Sequence, residues 1–322
     1  MNEALLNNQI IVYLLSESVL LGLLLVAFII SIAILKNWDF GAYTEQQFSL
    51  ERRAYLVMTI LLFVFVVKFF LVVYFVFAID KLSILVPGAM CAAGVISAND
   101  YGMVLLFFKF IILFFLILWM ALNTYDLEAK SYPLFRTKFW LFIGIFAMIC
   151  IEMWLNIKYL NNIDMLDPVY CCSTLYGHLE GANPLPFGLN IAKLLILFYL
   201  LYAMIVITVF SAQRLLNIIA NILFVFIAYY SVLYFFGTYV YELPTHNCPF
   251  CLLQSEYYYV GYLMWGSLFA GVFIGLVSSI MELFLKIPRK KESRMSLLLL
   301  SLFVLLCTGY VAMFYINNGV FL

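Results

Sequence analysis

The first long apolar run of the chain is Ile10-Ile-Val-Tyr-Leu-Leu-Ser-Glu-Ser-Val-Leu-Leu-Gly-Leu-Leu-Leu-Val-Ala-Phe-Ile-Ile-Ser-Ile-Ala-Ile-Leu35. Glu17 is its one charged residue, and the run exceeds the roughly 20 residues that an α-helix needs to cross the hydrocarbon core of a bilayer. Inside a bilayer every backbone N–H and C=O group needs a partner within the protein, and a helix supplies one for each. The run therefore predicts a transmembrane helix.

The composition extends this prediction to the whole chain. Hydrophobic residues make up 67% of the 322 residues and charged residues 11%, with a mean hydropathy of +1.09. Soluble domains are usually about 45–50% apolar and about 25% charged. The formal net charge of +0 gives no indication of a nucleic-acid partner. Residues 1–10 lack a basic residue and the first apolar run is too long for a signal-peptide core, so we expect no cleavable signal peptide.

Eight apolar segments recur along the chain, and each is long enough to span a bilayer. We predict an all-α fold, a polytopic transmembrane bundle of about eight helices that forms a single integral membrane domain over residues 1–322. The predicted helices cover residues 10–35, 54–79, 103–123, 139–157, 190–211, 216–238, 258–285 and 295–316.

Basic residues are distributed unequally between the loops. Loops one, three, five and seven hold twelve lysines and arginines, whereas loops two, four and six hold only Lys81 and Lys158. Cytoplasmic loops carry the excess of basic residues, so both termini are predicted to be extracytoplasmic, and loops two, four and six external. The twelve are Lys36, Arg52, Arg53, Lys130, Arg136, Lys138, Arg214, Lys286, Arg289, Lys290, Lys291 and Arg294.

Five of the seven cysteines fall in the predicted external loops, and none falls in a predicted cytoplasmic loop. Disulfide chemistry persists on the extracytoplasmic side of a membrane and is suppressed in the cytoplasm. Cys150 and Cys307 lie in predicted helices, where we expect ordinary buried apolar residues. The external cysteines are Cys91 in loop two, Cys171 and Cys172 in loop four, and Cys248 and Cys251 in loop six.

The stretch Thr245-His-Asn-Cys-Pro-Phe-Cys-Leu-Leu-Gln254 places Cys248 and Cys251 where a polar loop is predicted to enter a long apolar helix. A helix N-terminus favours the thiolate form of a cysteine. A disulfide between the two stabilises the fold little because it closes a very short loop, so a redox-active pair is favoured over a structural one. A metal site is the third interpretation. His246 could supply a further ligand to it, could lower a thiol pKa, or could be a plain loop residue.

Cys171 and Cys172 are adjacent in the sequence, and adjacent cysteines rarely bond to each other without strain. One of them is expected to pair with Cys91 while the other exchanges electrons with Cys248 or Cys251. Such a relay proceeds through mixed disulfides and needs the sulfurs to meet only in sequence. Static disulfides within the loops are the alternative.

Ionisable residues inside the predicted helices form a second pattern. Glu17, Lys109, Glu152 and Lys193 all fall near the external ends of their helices, where buried charges are costly and indicate function by default. We expect them to meet as a buried cluster, and we expect Lys68, the deepest of the charges, to have a specific partner. Interhelical ion pairs and lysines that extend toward the interface are the alternative.

The segment Cys248-Pro-Phe-Cys-Leu-Leu-Gln254 resembles the Cys-x-x-Cys-apolar-x-Glu/Gln signature of the DsbB/BdbC disulfide-forming membrane proteins, over about ten residues. Its predicted position is similar to that of the Cys-x-x-Cys pair in vitamin K epoxide reductases. The resemblance implies a quinone beside this pair. It also implies that Cys91, with Cys171 or Cys172, receives electrons from a soluble thioredoxin-like extracytoplasmic protein.

With that resemblance, certain side chains become candidates for contact with the quinone. Lys109 or Lys193 could donate a hydrogen bond to a quinone oxygen and stabilise the developing negative charge. The aromatic residues near the cysteine pair could line the ring, although an interfacial belt is the alternative for the tyrosines. These aromatic residues are Phe250, Tyr257, Tyr258, Tyr259 and Trp265.

The sequence therefore predicts a thiol–disulfide oxidoreductase of the bacterial inner membrane that exchanges electrons between external cysteines and a membrane quinone. Two other classes stay open. One is a non-catalytic membrane subunit with disulfide-stapled loops. The other binds or transports a soft metal such as Cu(I), for which thiolates are suitable ligands. Its ligands would be His246, Cys248, Cys251, Cys171 and Cys172, with Met90 nearby.

Overall fold

The computed structural model describes residues 3–39, 41, 44–129, 132–164, 167–169, 185, 188–211 and 213–322. Within these ranges the regular secondary structure is helical, which confirms the predicted all-α class. Eight of the described helices are long and apolar enough to cross a membrane, as predicted. They are α1 (Asn8–Asn37), α2 (Glu45–Leu82), α3 (Asp100–Glu128), α4 (Phe135–Asn161), α5 (Ile191–Ser211), α6 (Arg214–Tyr241), α7 (Val260–Phe284) and α8 (Lys290–Asn318).

Several helices extend beyond the apolar segments from which they were predicted, because polar residues cap them. The side chain of Asn7 accepts a hydrogen bond from the backbone N–H of Gln9 at the start of α1. Thr44 accepts one from Gln47 at the start of α2, nine residues before the predicted apolar segment begins. Such caps satisfy backbone donors that have no partner within the helix. The apolar segment thus marks the membrane-spanning part of a longer helix.

The chain divides into two compact units, each of which holds four of the long helices. Unit 1 comprises Met1–Pro87 and Val95–Asp167, and unit 2 comprises Gly88–Gly94 and Pro168–Leu322. In unit 1 each helix packs on the next, and α4 packs back on α1. In unit 2 the order α5, α6, α7, α8 closes in the same way. The assignment of residues 1–322 to a single domain stays a prediction.

The last part of α6 contains one turn of π-helix, Val232–Phe236, before the α-helix resumes at Gly237. A Cβ atom on Gly237 would lie 2.6 Å from the carbonyl oxygen of Val232, so only glycine fits this position. A π-turn adds a residue to a helix and rotates everything after it, and such turns are frequent at functional sites. Here it sets the direction of Tyr241, the last residue of α6.

Ion pairs involve some of the basic residues that were assigned to cytoplasmic loops. Lys138 lies within α4, fully buried, with its Nζ 2.7 Å from Asp126 Oδ2. Asp126 also accepts a hydrogen bond from the backbone N–H of Leu134, so this pair fixes the turn between α3 and α4. Arg214 pairs with Glu282 in unit 2. The extracytoplasmic location of both termini stays a prediction.

Candidate functional site

Three cysteine sulfurs lie together in unit 2. The Sγ atoms of Cys91, Cys248 and Cys251 are all within 4.8 Å of one another, and we call this group the three-sulfur cluster. The Sγ atoms of Cys91 and Cys248 are 3.6 Å apart. The residues are 0%, 2% and 5% exposed, and no disulfide joins the three sulfurs to one another. The structure thus joins two of the predicted external loops at one buried point.

The local structure around Cys248 and Cys251 differs from the expectation of a long helix beginning at this pair. Cys251 begins a 3-10 turn that ends at Leu253, and α7 begins only at Val260. Tyr258 and Tyr259 separate the two, both with left-handed backbone conformations that a continuing helix cannot contain. The predicted stabilisation of a thiolate by the N-terminus of a long helix is therefore wrong.

A buried tyrosine, Tyr241, holds the cysteine turn in place. Its hydroxyl donates a hydrogen bond to the carbonyl oxygen of Cys248 and accepts one of 3.1 Å from the N–H of Leu252. The side chain therefore connects the first cysteine of the Cys-x-x-Cys motif to the residue that follows the second. This role does not follow from the sequence, because nothing in a local pattern marks one of 23 tyrosines as the partner of a loop.

Three further contacts fix the same turn. The indole Nε1 of Trp265 donates a 3.0 Å hydrogen bond to the carbonyl oxygen of Pro249. The side-chain amide of Gln254 donates one of 3.1 Å to the carbonyl oxygen of Met90, which precedes Cys91. At the start of α7, a Cβ atom on Gly261 would lie 2.8 Å from three atoms of Leu252, so the helix packs directly against the turn. The Gln254 contact joins the two segments that carry the cysteines, and the other two contacts hold the turn of Cys248 and Cys251.

The segment that carries Cys91 turns sharply around two glycines. Gly88 has a φ of 78°, in the left-handed region, and a Cβ atom there would lie 2.5 Å from the carbonyl oxygen of Val169. A Cβ atom on Gly94 would lie 3.0 Å from Ala89. Only glycine allows such close backbone approaches. Cys91 is held between these two points.

Two predicted relay residues lie outside the described residues. Val169 contacts the Cys91 segment through Gly88 and is two positions before Cys171 in the sequence. Cys171 and Cys172 follow in the part of the chain that the structure does not describe. Their pairing with Cys91 and their exchange with Cys248 or Cys251 stay predictions.

His246, the nitrogen ligand of the alternative metal interpretation, is not a member of the three-sulfur cluster. Its ring packs edge-on against Tyr241, with the ring centroids 4.4 Å apart. Its Nε2 is buried and has no hydrogen-bond partner among the described residues. The thiol that joins Cys248 and Cys251 is that of Cys91.

A groove of about 720 Å³ runs along unit 2 beside the tyrosines that surround the cysteine turn. Tyr241 and Tyr257 line it, and their rings contact each other at 4.8 Å between centroids. Burial raises the pKa of the Tyr257 hydroxyl, and negative charge at Cys251 raises it further, so this group remains a hydrogen-bond donor at neutral pH. The other lining residues are Val240, Glu242, Glu256, Tyr258, Leu305, Leu306, Gly309, Tyr310 and Met313.

The candidate quinone contacts fall in different places. Tyr258 lines the groove and is 91% exposed. Phe250 packs against the hydrophobic core of unit 2. Lys193 is exposed in the first turn of α5, and Lys109 is buried in unit 1. Among these four, Tyr258 is the residue that contacts the groove.

The predicted charged cluster exists within unit 1. The Nζ of Lys68 lies 2.9 Å from Glu17 and 2.6 Å from Glu152, so the prediction of a specific partner for Lys68 is confirmed. The Nζ of Lys109 lies 2.6 Å from Glu152 and donates a 2.6 Å hydrogen bond to the hydroxyl of Tyr13. All five side chains are buried.

The expectations for three single residues have different outcomes. Lys193 was expected in the charged cluster, but it is an exposed residue of unit 2, so that part of the prediction is wrong. Cys307 is fully buried in the core of unit 2, as expected. Cys150, expected to be buried, is exposed on α4. An exposed thiol on a membrane-spanning helix can face the lipid chains.

Comparison of the chain with models of protein families, with curated proteins and with solved structures finds no match.

Proposed function

We propose that the chain is a membrane thiol–disulfide oxidoreductase whose reacting groups are the sulfurs of the three-sulfur cluster. The observation that supports this most directly is the 3.6 Å separation between the Sγ atoms of Cys91 and Cys248, with Cys251 in the same group. A disulfide bond has a length of about 2.05 Å, so small movements of the side chains are enough to form one. Three sulfurs at this spacing can exchange a disulfide.

The exchange begins with a disulfide between Cys248 and Cys251. The thiolate of Cys91 attacks the sulfur of Cys248, a Cys91–Cys248 bond forms, and Cys251 leaves as a thiolate. This step moves a disulfide and leaves the total number of electrons unchanged. A second thiol, proposed to be Cys171 or Cys172, then attacks Cys91 and releases Cys248 as a thiolate. Two electrons have then passed to Cys248 and Cys251 from a second pair, which consists of Cys91 and either Cys171 or Cys172. The protons of the thiols that were oxidised go to solvent.

The three sulfurs are buried, which protects their disulfide exchange from competing thiols in solution. Cys91, Cys248 and Cys251 are each at most 5% exposed, so soluble thiols of the surroundings have little access to them. The hydrogen bonds of Tyr241 to Cys248 and Leu252 keep the attacked sulfur at a fixed position. We propose that a thioredoxin-like extracytoplasmic protein reduces the second pair. The proposed location is the bacterial inner membrane, with the cysteine loops outside.

The groove beside Tyr241 and Tyr257 fits a quinone as the electron acceptor. It is bounded by aromatic side chains, and Tyr257 offers a hydroxyl donor at its wall. A quinone, when bound, accepts two electrons and two protons. Tyr257 can donate a hydrogen bond to an oxygen of such a ring, and Glu256 and Glu242 can carry protons to and from the groove. Tyr241 touches both the cysteine turn and the groove.

Redox titration with thiol trapping tests this function. Purified protein is equilibrated at potentials from about −120 to −300 mV, alkylated, and analysed by mass spectrometry of its cysteine peptides. We expect Cys248 and Cys251 to change together from disulfide to dithiol within this range, and Cys150 and Cys307 to stay reduced throughout. A pair that stays oxidised across the range would instead indicate a structural disulfide and would contradict the proposal.

Extraction of the purified protein with organic solvent gives a second test. We expect a quinone to co-purify, and substitution of Tyr257 by leucine to reduce the amount bound. Tyr202→Leu is a matched control, since Tyr202 is a partly buried tyrosine of unit 2 that does not line the groove. Equal quinone content in the two variants would contradict the assignment of the groove.

A further inference from the structure

We propose that the three-sulfur cluster, in its reduced state, is a binding site for one Cu(I) ion, with Cys91 as its third ligand. The inference uses the same sulfurs as the proposed oxidoreductase but does not depend on electron transfer through them. It replaces the ligand set expected from the sequence, since Cys91 takes the place of His246.

The spacing of the sulfurs suits a trigonal site. A metal–sulfur bond of about 2.3 Å places three sulfurs in a plane about 4.0 Å from one another. The observed pair Cys91–Cys248 is 3.6 Å apart, and all three sulfurs lie within 4.8 Å of one another. Each sulfur–sulfur distance therefore needs to change by less than about 1 Å for the three to surround an ion.

The chemistry of the donors selects the metal. Among the described residues, the group consists of sulfur atoms alone and includes no carboxylate or imidazole. Thiolates favour soft ions such as Cu(I) over Mg²⁺, Ca²⁺ or Mn²⁺, which prefer oxygen ligands. Zinc also binds thiolates, but its structural sites in proteins almost always have four ligands. The three sulfurs that the described residues bring together match a trigonal Cu(I) site better than a four-ligand zinc site.

The surrounding structure holds the donors in place before an ion binds. Gln254 connects the turn of Cys248 and Cys251 to the segment of Cys91, and Tyr241 connects both sides of that turn. Ligands that are held in position lose little freedom on binding, which raises affinity. The low exposure of the sulfurs also keeps water from competing for the ion.

Binding of Cu(I) and formation of a disulfide exclude each other at this site. Each cysteine that becomes a ligand gives up its proton to solvent, and the thiolate electron pair that binds the metal no longer attacks a disulfide. Neither the ion nor the sulfurs change oxidation state on binding. The occupied site is therefore a reduced state that is protected from oxidation.

Competition with a chromogenic chelator tests the site. Reduced protein in detergent is titrated without oxygen against the Cu(I) complex of bicinchoninate, which loses its colour as the protein removes the ion. We expect one Cu(I) per chain and an affinity that falls at least about tenfold in Cys91→Ser, in line with the loss of a metal-site interaction. X-ray absorption should show three sulfur neighbours in the wild type and two in Cys91→Ser.

Cys307→Ser and Cys150→Ser are the controls, since neither sulfur belongs to the cluster. Both are expected to bind as the wild type does. Failure of the reduced wild-type protein to compete with the chelator would overturn the proposal, as would equal affinity in Cys91→Ser. Displacement of Cu(I) by an equal concentration of Zn²⁺ would overturn the choice of metal. The potential of Cys248 and Cys251, measured without metal, tests the oxidoreductase separately.

Discussion

The sulfur of Cys91 lies 3.6 Å from the sulfur of Cys248, although 157 residues separate them along the chain. This proximity predicts which disulfide forms when Cys251, the proposed partner of Cys248, is removed. The test uses a triple variant that carries Cys171→Ser, Cys172→Ser and Cys251→Ser. We expect it to accumulate a Cys91–Cys248 disulfide under a mild oxidant such as diamide. Mass spectrometry of the linked peptides identifies the bond.

The control for this experiment adds Cys91→Ser to the same protein. That variant is expected to give no internal bond to Cys248. If Cys251→Ser gives only dimers between chains, the two sulfurs do not meet in the protein.

Substitution of Gly261 by alanine should displace the cysteine turn. The new Cβ atom would lie 2.8 Å from the backbone and side chain of Leu252, which is fully buried. Overpacking of this kind costs about 1–3 kcal/mol, and the shift should slow formation of the Cys91–Cys248 bond. The rate is measured by quenching the diamide reaction at intervals.

Gly266→Ala is the matched control on the same helix, because a Cβ atom there meets nothing within 4 Å. Alanine favours a helix over glycine by about 1 kcal/mol, so this variant should be at least as stable as the wild type and should react at the same rate. Equal rates in Gly261→Ala and Gly266→Ala would contradict the close contact with Leu252.

Gly88→Ala should disturb the Cys91 segment by two separate effects. The left-handed backbone disfavours alanine by about 1–2 kcal/mol, and the Cβ atom would also overlap the carbonyl oxygen of Val169. Gly319→Ala separates the two effects, since Gly319 has a similar φ of 72° and nothing within 4 Å. We expect only Gly88→Ala to slow the Cys91–Cys248 bond. A wild-type rate in Gly88→Ala would show that the Val169 contact does not position Cys91.

Tyr241→Phe removes the hydroxyl that joins the carbonyl of Cys248 to the N–H of Leu252, so both buried backbone groups lose that hydrogen bond. A buried polar group that loses its partner costs about 1–3 kcal/mol. Thermal unfolding should therefore shift downward, and the potential of the Cys248–Cys251 pair should change. Tyr239→Phe is the control on the same helix, with one weaker hydrogen bond of 3.3 Å to Leu322. An unchanged potential in Tyr241→Phe would contradict its role in positioning the pair.

The charged cluster of unit 1 should show strong coupling between its members. Glu17→Gln or Lys68→Met alone leaves an unbalanced buried charge, and breaking a buried ion pair costs about 3–5 kcal/mol. The double variant removes both charges and keeps the pair of Lys109 and Glu152, so we expect it to be more stable than either single variant. Denaturation in detergent measures all three. Additive losses in the double variant would show that the two charges do not interact.

Much of the fold could be predicted because its cause is local. Each span needs a run of apolar residues of sufficient length, and α1 and α5 have such runs with boundaries close to those observed. The site was less predictable. Cys248 and Cys251 were expected at the entrance of the helix predicted over residues 258–285, but Tyr258 and Tyr259 adopt left-handed backbones that the apolar and aromatic composition there does not indicate.

The amino-acid sequence determined by itself that the chain forms apolar helices long enough to cross a membrane, eight of them within the described residues, because a segment in a bilayer satisfies its backbone within its own length. It also indicated the cysteines of interest by their loops. Only the tertiary structure decided that Cys91 joins Cys248 and Cys251, that Lys68 lies between two glutamates, and that a tyrosine supports the cysteine turn. The contacts of Cys91 and Lys68 join residues far apart in sequence, and that of Tyr241 depends on the π-turn in α6. The periodicity of any one segment specifies none of these partners.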